Sequence, residues 1–202
     1  MTESGQQRPL LLGCGILHKE IGFLIEKNGW PLETHFLDSS LHIDFGKLSI
    51  ALTGALHQHD NRDTIVFYGA CHPLMEKILA TAGTFRTEGQ NCVEMLLGHE
   101  QFSSELEQGA FFLLEEWAHR WERIVTATFG TNVEIIRELY QGDRSYLLGI
   151  NTPCSGDFRE EAEQAGKLVG LPLRWVDISL DHLETVLQEA IDRKAERPLC
   201  PM

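Results

Sequence analysis

The chain has 202 residues, 43% hydrophobic and 23% charged, which is enough apolar material for a sizeable core and too much for a disordered chain. A formal net charge of −13 argues against a nucleic-acid backbone or an anionic membrane surface as partner. Residues 1–8 are polar, with no apolar centre for a signal peptide, and no apolar run approaches the ~20 residues that cross a bilayer.

A cytoplasmic protein is therefore expected, with its five cysteines reduced. No internal repeat or dividing linker is visible, so residues 1–202 read as a single α/β domain, with tails at 1–8 and 195–202.

Residues 9–14 (PLLLGC) form a buried-strand pattern that ends on a glycine and a cysteine. Ile16, Leu17, Ile21, Leu24 and Ile25 then recur at helical spacing, and Asn28-Gly29 reads as a helix stop. A short strand is expected over 34–38 and a helix over 40–57, followed by a polar turn, His57-Gln-His-Asp-Asn-Arg-Asp63. His57, His59 and Asp60 could bind a metal there, but a turn is the simpler reading. Ile65-Val-Phe-Tyr68 is a second buried run, broken by Gly69 and followed by Cys71 and His72, with Pro73 placed to open a helix over 73–82.

Beyond an irregular loop over 83–91, Cys92 precedes a short helix at 93–97, and another helix is expected near Ser103. Strands follow at 109–114, 144–150 and 173–177. Between and after them come a long helix through Trp121 and Ile124 and helices over 132–141, 158–169 and 179–194. Strands alternating with helices predict a three-layer α/β/α sandwich with a mostly parallel central sheet, Rossmann-like or flavodoxin-like.

With the strand order 2-1-3-4-5, the first and third strands are neighbours about 4.8 Å apart, which brings Cys14 and Cys71 together at the carboxyl edge. Cys92 can close over them. Three thiolates there suit zinc or an iron–sulfur cluster with a fourth position open. Their wide spacing matches no compact metal motif, so the same residues also read as ordinary buried cysteines.

His18 and His72 are candidate ligands or proton donors, each weighed against a solvated or satisfied histidine. Glu20 can reach the site from the first helical turn, although a solvated carboxylate is the simpler reading. Glu115 is a candidate acid or base and Trp117 a candidate cavity wall, against acids favoured by a helix dipole. Cys154 is a weaker candidate, and Cys200 reads as a free tail thiol. No phosphate-binding glycine fingerprint or nucleophile elbow is present.

Cys14-Gly-Ile-Leu-His-Lys-Glu20, Tyr68-Gly-Ala-Cys71, Asn91-Cys-Val-Glu-Met-Leu-Leu-Gly98 and Gly109-Ala-Phe-Phe-Leu-Leu-Glu-Glu-Trp117 together resemble the DUF1638 family, a bacterial and archaeal domain of unknown function. The resemblance runs from about Pro9 to Ile191 and implies roles for Cys14, Glu20, Cys71, Cys92 and Trp117. Asn91 stands where the family pattern has aspartate, and Ala110 and Glu115 where it has threonine, which removes a carboxylate from beside Cys92. The resemblance also carries a contextual link to corrinoid-dependent methyl transfer in anaerobes.

The leading expectation is a metalloprotein whose Cys14, Cys71 and Cys92 hold one iron–sulfur or zinc centre. Its open position would activate a thiol, a sulfur compound or a methyl acceptor, with Glu20, His72 or Glu115 moving protons. The alternatives are an accessory protein binding a corrinoid or other cofactor, with His18 or His72 as axial ligand and Trp117 at the pocket, and a metal-free thiol redox protein pairing Cys14 with Cys71. The expected partner is a small molecule; aromatic residues such as Trp30 and Phe36 could also serve a homo-oligomer face.

Overall fold

The computed structural model describes residues 8–196, so Cys200 lies outside the described residues. Among the described residues the protein is α/β and 56% helical, with two all-parallel sheets of three strands each. The described residues cluster into two compact units, 8–92 with 184–196, and 93–183. Among the described residues no helix is long and apolar enough to cross a membrane.

In the first unit, β1 (Leu10–Cys14) lies between β2 (Glu33–Leu37) and β3 (Thr64–Phe67). Every residue of β1 and β3 is buried, as their unbroken apolar runs require, whereas β2 is partly exposed at the edge. The register pairs Gly13 with Phe67 and Cys14 with Leu37, so all three strands end at the same rim. Helix α1 (His18–Asn28) stops where Gly29 takes a left-handed φ of 61° and the Trp30 N–H returns to the Ile25 carbonyl.

The single helix expected over 40–57 is divided. A 3-10 turn at Ser39–Ile43 comes first, and the Asp44 carboxylate then accepts the Lys47 N–H at 3.0 Å and starts α2 (Phe45–Gln58) afresh. Helix α3 (Met75–Thr81) follows β3. The last part of the chain packs back on this unit through Lys27–Glu184 at 2.7 Å, Trp30–Gln188 at 2.9 Å and Lys194–Asp63 at 3.3 Å.

The segment read as an irregular loop has a structural task. Val66 donates to the Phe85 carbonyl at 3.2 Å and accepts from Thr87 N–H at 2.9 Å, a parallel bridge that covers the free edge of β3. The expected 2-1-3-4-5 sheet stops at 2-1-3 on this edge, and the later strands form a second sheet. The same bridge carries the chain along β3 towards its carboxyl end and delivers Cys92 at the start of α4 (Cys92–Leu97).

The second unit has its own sheet, in which β5 (Tyr146–Asn151) lies between β4 (Ala110–Leu113) and β6 (Leu173–Asp177). Around it are α5 (His99–Glu107), α6 (Glu115–Ala118), α7 (Trp121–Phe129), α8 (Val133–Asp143) and α9 (Arg159–Val169). Helix α10 (Asp181–Glu196) follows β6. The helix expected through Trp121 and Ile124 is α7, and the residues before it, Glu115–Ala118, form a separate short helix, α6. Trp121, Val125, Ile136, Leu147 and Phe158 form the core of this unit. Gly149 lets the Trp175 indole lie across the central strand, where a Cβ would stand 2.7 Å from the ring.

Candidate functional site

Four residues are placed at the carboxyl rim of the first sheet. Cys14 ends β1, Tyr68 ends the run through β3, Cys71 follows two residues beyond Gly69, and Cys92 arrives from the bridge along β3. Two backbones are pressed together to make this happen: Ala70 N–H donates to the Gln90 carbonyl at 2.8 Å, and a Cβ on Gly69 would fall on that carbonyl and on the Asn91 backbone. Arg86 braces the arriving segment by donating to Glu76 at 2.7 Å and to the Thr87 and Gly89 carbonyls at 2.9 Å.

Cys14 and Cys92 are buried and Cys71 half-buried, all three as free thiols. The Cys92 thiol is hydrogen-bonded to Cys14; that bond, burial and the neighbouring sulfurs of Cys14 and Cys71 push it well above the ordinary thiol range. Burial and Cys14 likewise push Cys71 up, partly offset by the Gly69 and Cys71 N–H groups and by Arg86. Tyr68 is 1% exposed, and its buried hydroxyl has no hydrogen-bond partner. Burial pushes this phenol far up, and Cys14, Cys92, Cys71 and Asp38 push it further. Among the described residues, no three His, Cys, Asp or Glu side chains are grouped as a ready ion-holding set.

The remaining candidates divide. Glu20 is buried at 6% exposure, not solvated as the simpler reading had it. His72 is also buried; its Nδ1 accepts the Leu74 N–H at 2.9 Å, capping the turn into α3, and its ring stands edge-on to Phe45. His18 is exposed, and its Nδ1–H donates to the Gly15 carbonyl at 2.8 Å.

Glu115 and Trp117 belong to the second unit. There Glu115 accepts the Gly156 N–H at 3.1 Å and faces His119 at 3.4 Å, while Trp117 packs on the core beside Trp121. Cys154 is in that unit as well, its N–H donated to Thr152 Oγ1 at 3.1 Å. Tyr68 is a residue of this rim that the sequence does not single out. Its one sequence signal is a hydroxyl at the end of a run where phenylalanine would pack equally well.

A cavity of about 450 Å3 opens at the amino end of β3, beside Leu56, Arg62, Thr64, Ile78 and Lys194. Two of its charged groups are held in structural pairs, Arg62 with Glu33 at 2.8 Å and Lys194 with Asp63, while Lys77 and Asp60 also line it. His59, expected in a turn, caps the end of α2 and meets His35 with 3.1 Å between ring nitrogens. Desolvation, then His35 and Arg62, hold the His59 imidazolium below its ordinary range against the pull of Glu33. A lowered pKa favours the neutral ring, so any stability His59 adds is present above pH ~6.5 and lost as pH falls through the folded value. An NMR titration of the His59 ring should give a midpoint below ~6.5 that rises in His35→Ala; a midpoint at or above it contradicts the pairing.

Comparison with known families matches residues 36–187 to the family described as a protein of unknown function, DUF1638. The chain belongs to the DUF1638 family. Of the residues singled out above, Cys71, Cys92, Glu115 and Trp117 lie within the matched span of this DUF1638 protein, and Cys14 and Glu20 precede it. No curated protein matches the chain. No solved structure matches it either.

Proposed function

We propose that this protein holds one soft metal centre, zinc or an iron–sulfur cluster, on Cys14, Cys71 and Cys92, with a position left for a small-molecule ligand. The observation that carries this reading is a dry rim where three thiols and an unpartnered hydroxyl converge and depress one another's ionisation. Buried and protonated, these thiols pack as small apolar groups; a soft cation would displace their protons and bind the thiolates. Cys14 and Cys92 are already in contact. Cys71 sits half-buried on the turn after Gly69 and is coupled electrostatically to Cys14. Bound there, the metal would lower the pKa of a substrate thiol and favour its transfer chemistry.

Anaerobic purification followed by elemental analysis tests the proposal. The expected result is roughly one equivalent of zinc, or iron with visible absorption, lost together in Cys71→Ser and Cys92→Ser. Colourless protein with less than about a tenth of an equivalent of any metal counts against it.

The thiol contact favours a second reading, a metal-free dithiol in which Cys14 and Cys92, not Cys14 and Cys71, lose two electrons and two protons to form a disulfide. Raised thiol pKa values weigh against it, because reactive redox cysteines have lowered ones. Thiol counting after mild oxidation of the Cys14→Ser variant separates the two readings.

A further inference from the structure

The cavity at the amino end of β3 lies at the opposite end of the strand from the thiol rim. Its volume of about 450 Å3 falls among those of small-molecule sites, which are mostly apolar with a few placed polar groups. Leu56 of α2 and Ile78 of α3 line it, with the exposed Leu74 beside them. A ligand covering Leu74 would take that apolar surface out of water. The charges of the lining are unequal. Arg62, Lys77 and Lys194 stand against one carboxylate, Asp60, while Glu33 and Asp63, which pair with Arg62 and Lys194, are not part of the lining.

Arg62 supplies a second, independent observation. Its side chain is 8% exposed, and its terminal nitrogens donate to Glu33 at 2.8 Å and to the Arg8 carbonyl at 2.6 Å. Its Nε is buried and, among the described residues, has no hydrogen-bond partner. A buried guanidinium donor left unpaired forfeits the bond it makes in water, a cost that an incoming acceptor removes. Lys77 is exposed on α3, and among the described residues its ammonium makes no ion pair.

We propose that this cavity binds a small amphipathic monocarboxylate, its apolar body against Leu56, Leu74 and Ile78 and its carboxylate held by the Arg62 Nε–H and the Lys77 ammonium. The head group follows from the donors. Arg62 already spends its terminal fork on Glu33 and Arg8, so it cannot grip a phosphate by two parallel bonds there. Asp60 would repel a second negative charge. The site needs no metal and stands apart from the reading of the three cysteines.

The test titrates the full reduced chain with octanoate by calorimetry. Wild type is expected to bind it saturably at a single site, with octanol and acetate each weaker by about tenfold or more. Lys77→Met should bind octanoate about fivefold more weakly and melt as wild type does, because that exposed ammonium holds no structural pair. In isotope-labelled wild type, the Arg62 Nε–H resonance should move downfield with octanoate and stay in place with octanol. Absence of saturable octanoate binding overturns the proposal. Octanol binding as tightly as octanoate overturns the carboxylate assignment, and acetate matching octanoate overturns the apolar contact. Unchanged affinity in Lys77→Met overturns the role of that ammonium. Binding that leaves the Arg62 Nε–H and Ile78 methyl resonances unmoved lies elsewhere on the protein and overturns the site. Should Lys77→Met not fold, those wild-type resonances decide.

Discussion

Gly69→Ala is expected to cost about 3 kcal/mol or more and to open the thiol rim, although it adds only one methyl group. The methyl would land on the Gln90 carbonyl and the Asn91 backbone, groups that belong to another stretch of main chain and cannot turn aside as a side chain can. Relief requires the two stretches to part, which breaks the 2.8 Å Ala70–Gln90 hydrogen bond. The same parting carries Cys71 away from Cys92, since each lies within two residues of the contact. Denaturant unfolding should show the loss, and thermal melting should fall by roughly 6–12 °C for a chain of this length. In parallel, alkylation of Cys92 should accelerate, because its burial depends on the closed rim. A variant within about 0.5 kcal/mol of wild type would mean that the close approach does not hold the site together.

The elements of this fold were legible where burial and local chemistry coincide. Leu10–Cys14 and Thr64–Phe67 are buried along their whole length, so their apolar runs announce strands directly. Leu173–Asp177 matches its expected range, and the Asn28-Gly29 stop is the left-handed cap that the residues suggest. Periodicity says what a segment is and not whom it pairs with. The segment around Arg86 joins β3 through backbone groups alone, which leaves no side-chain pattern to read. That one bridge ends the first sheet and assigns the later strands to a second. Asp44 was hidden for a similar reason: it sits among helix-forming residues, and only its bond to the Lys47 N–H makes it a new start.

The candidate site follows the same division. That Cys14 and Cys71 meet is a consequence of β1 lying beside β3, which the strand pattern implied. Cys92 was reached by a route the sequence does not display. Burial of Glu20 and the unpartnered hydroxyl of Tyr68 depend on tertiary packing, because a glutamate in a first helical turn and a tyrosine in an apolar run each have a commoner explanation. Glu115 and Trp117 were grouped with the thiols on the assumption of one continuous sheet. With two sheets, their positions after β4 answer to the second unit's own edge, where Gly156 and Trp121 are their neighbours.

Zinc added to the reduced apoprotein is expected to raise its melting temperature by about 8–16 °C at saturation. A cation that binds only the folded rim stabilises it by mass action, about 4 kcal/mol when free metal stands ~1,000-fold above Kd, and each kcal/mol moves a chain of this size by roughly 2–4 °C. The gain has a structural source, because the folded apoprotein confines three thiols and a hydroxyl in a dry space, where their charged forms repel one another. Binding releases thiol protons, so the shift should grow as pH rises from 6 to about 8. Cys92→Ser should abolish it, while Cys154→Ser, altered after β5 in the other unit, should keep it and control for weak binding to stray thiols. A chelator should restore the apoprotein's melting temperature. Equal melting with and without zinc, or a shift that survives in Cys92→Ser, would show that the three cysteines are packed together for the fold alone.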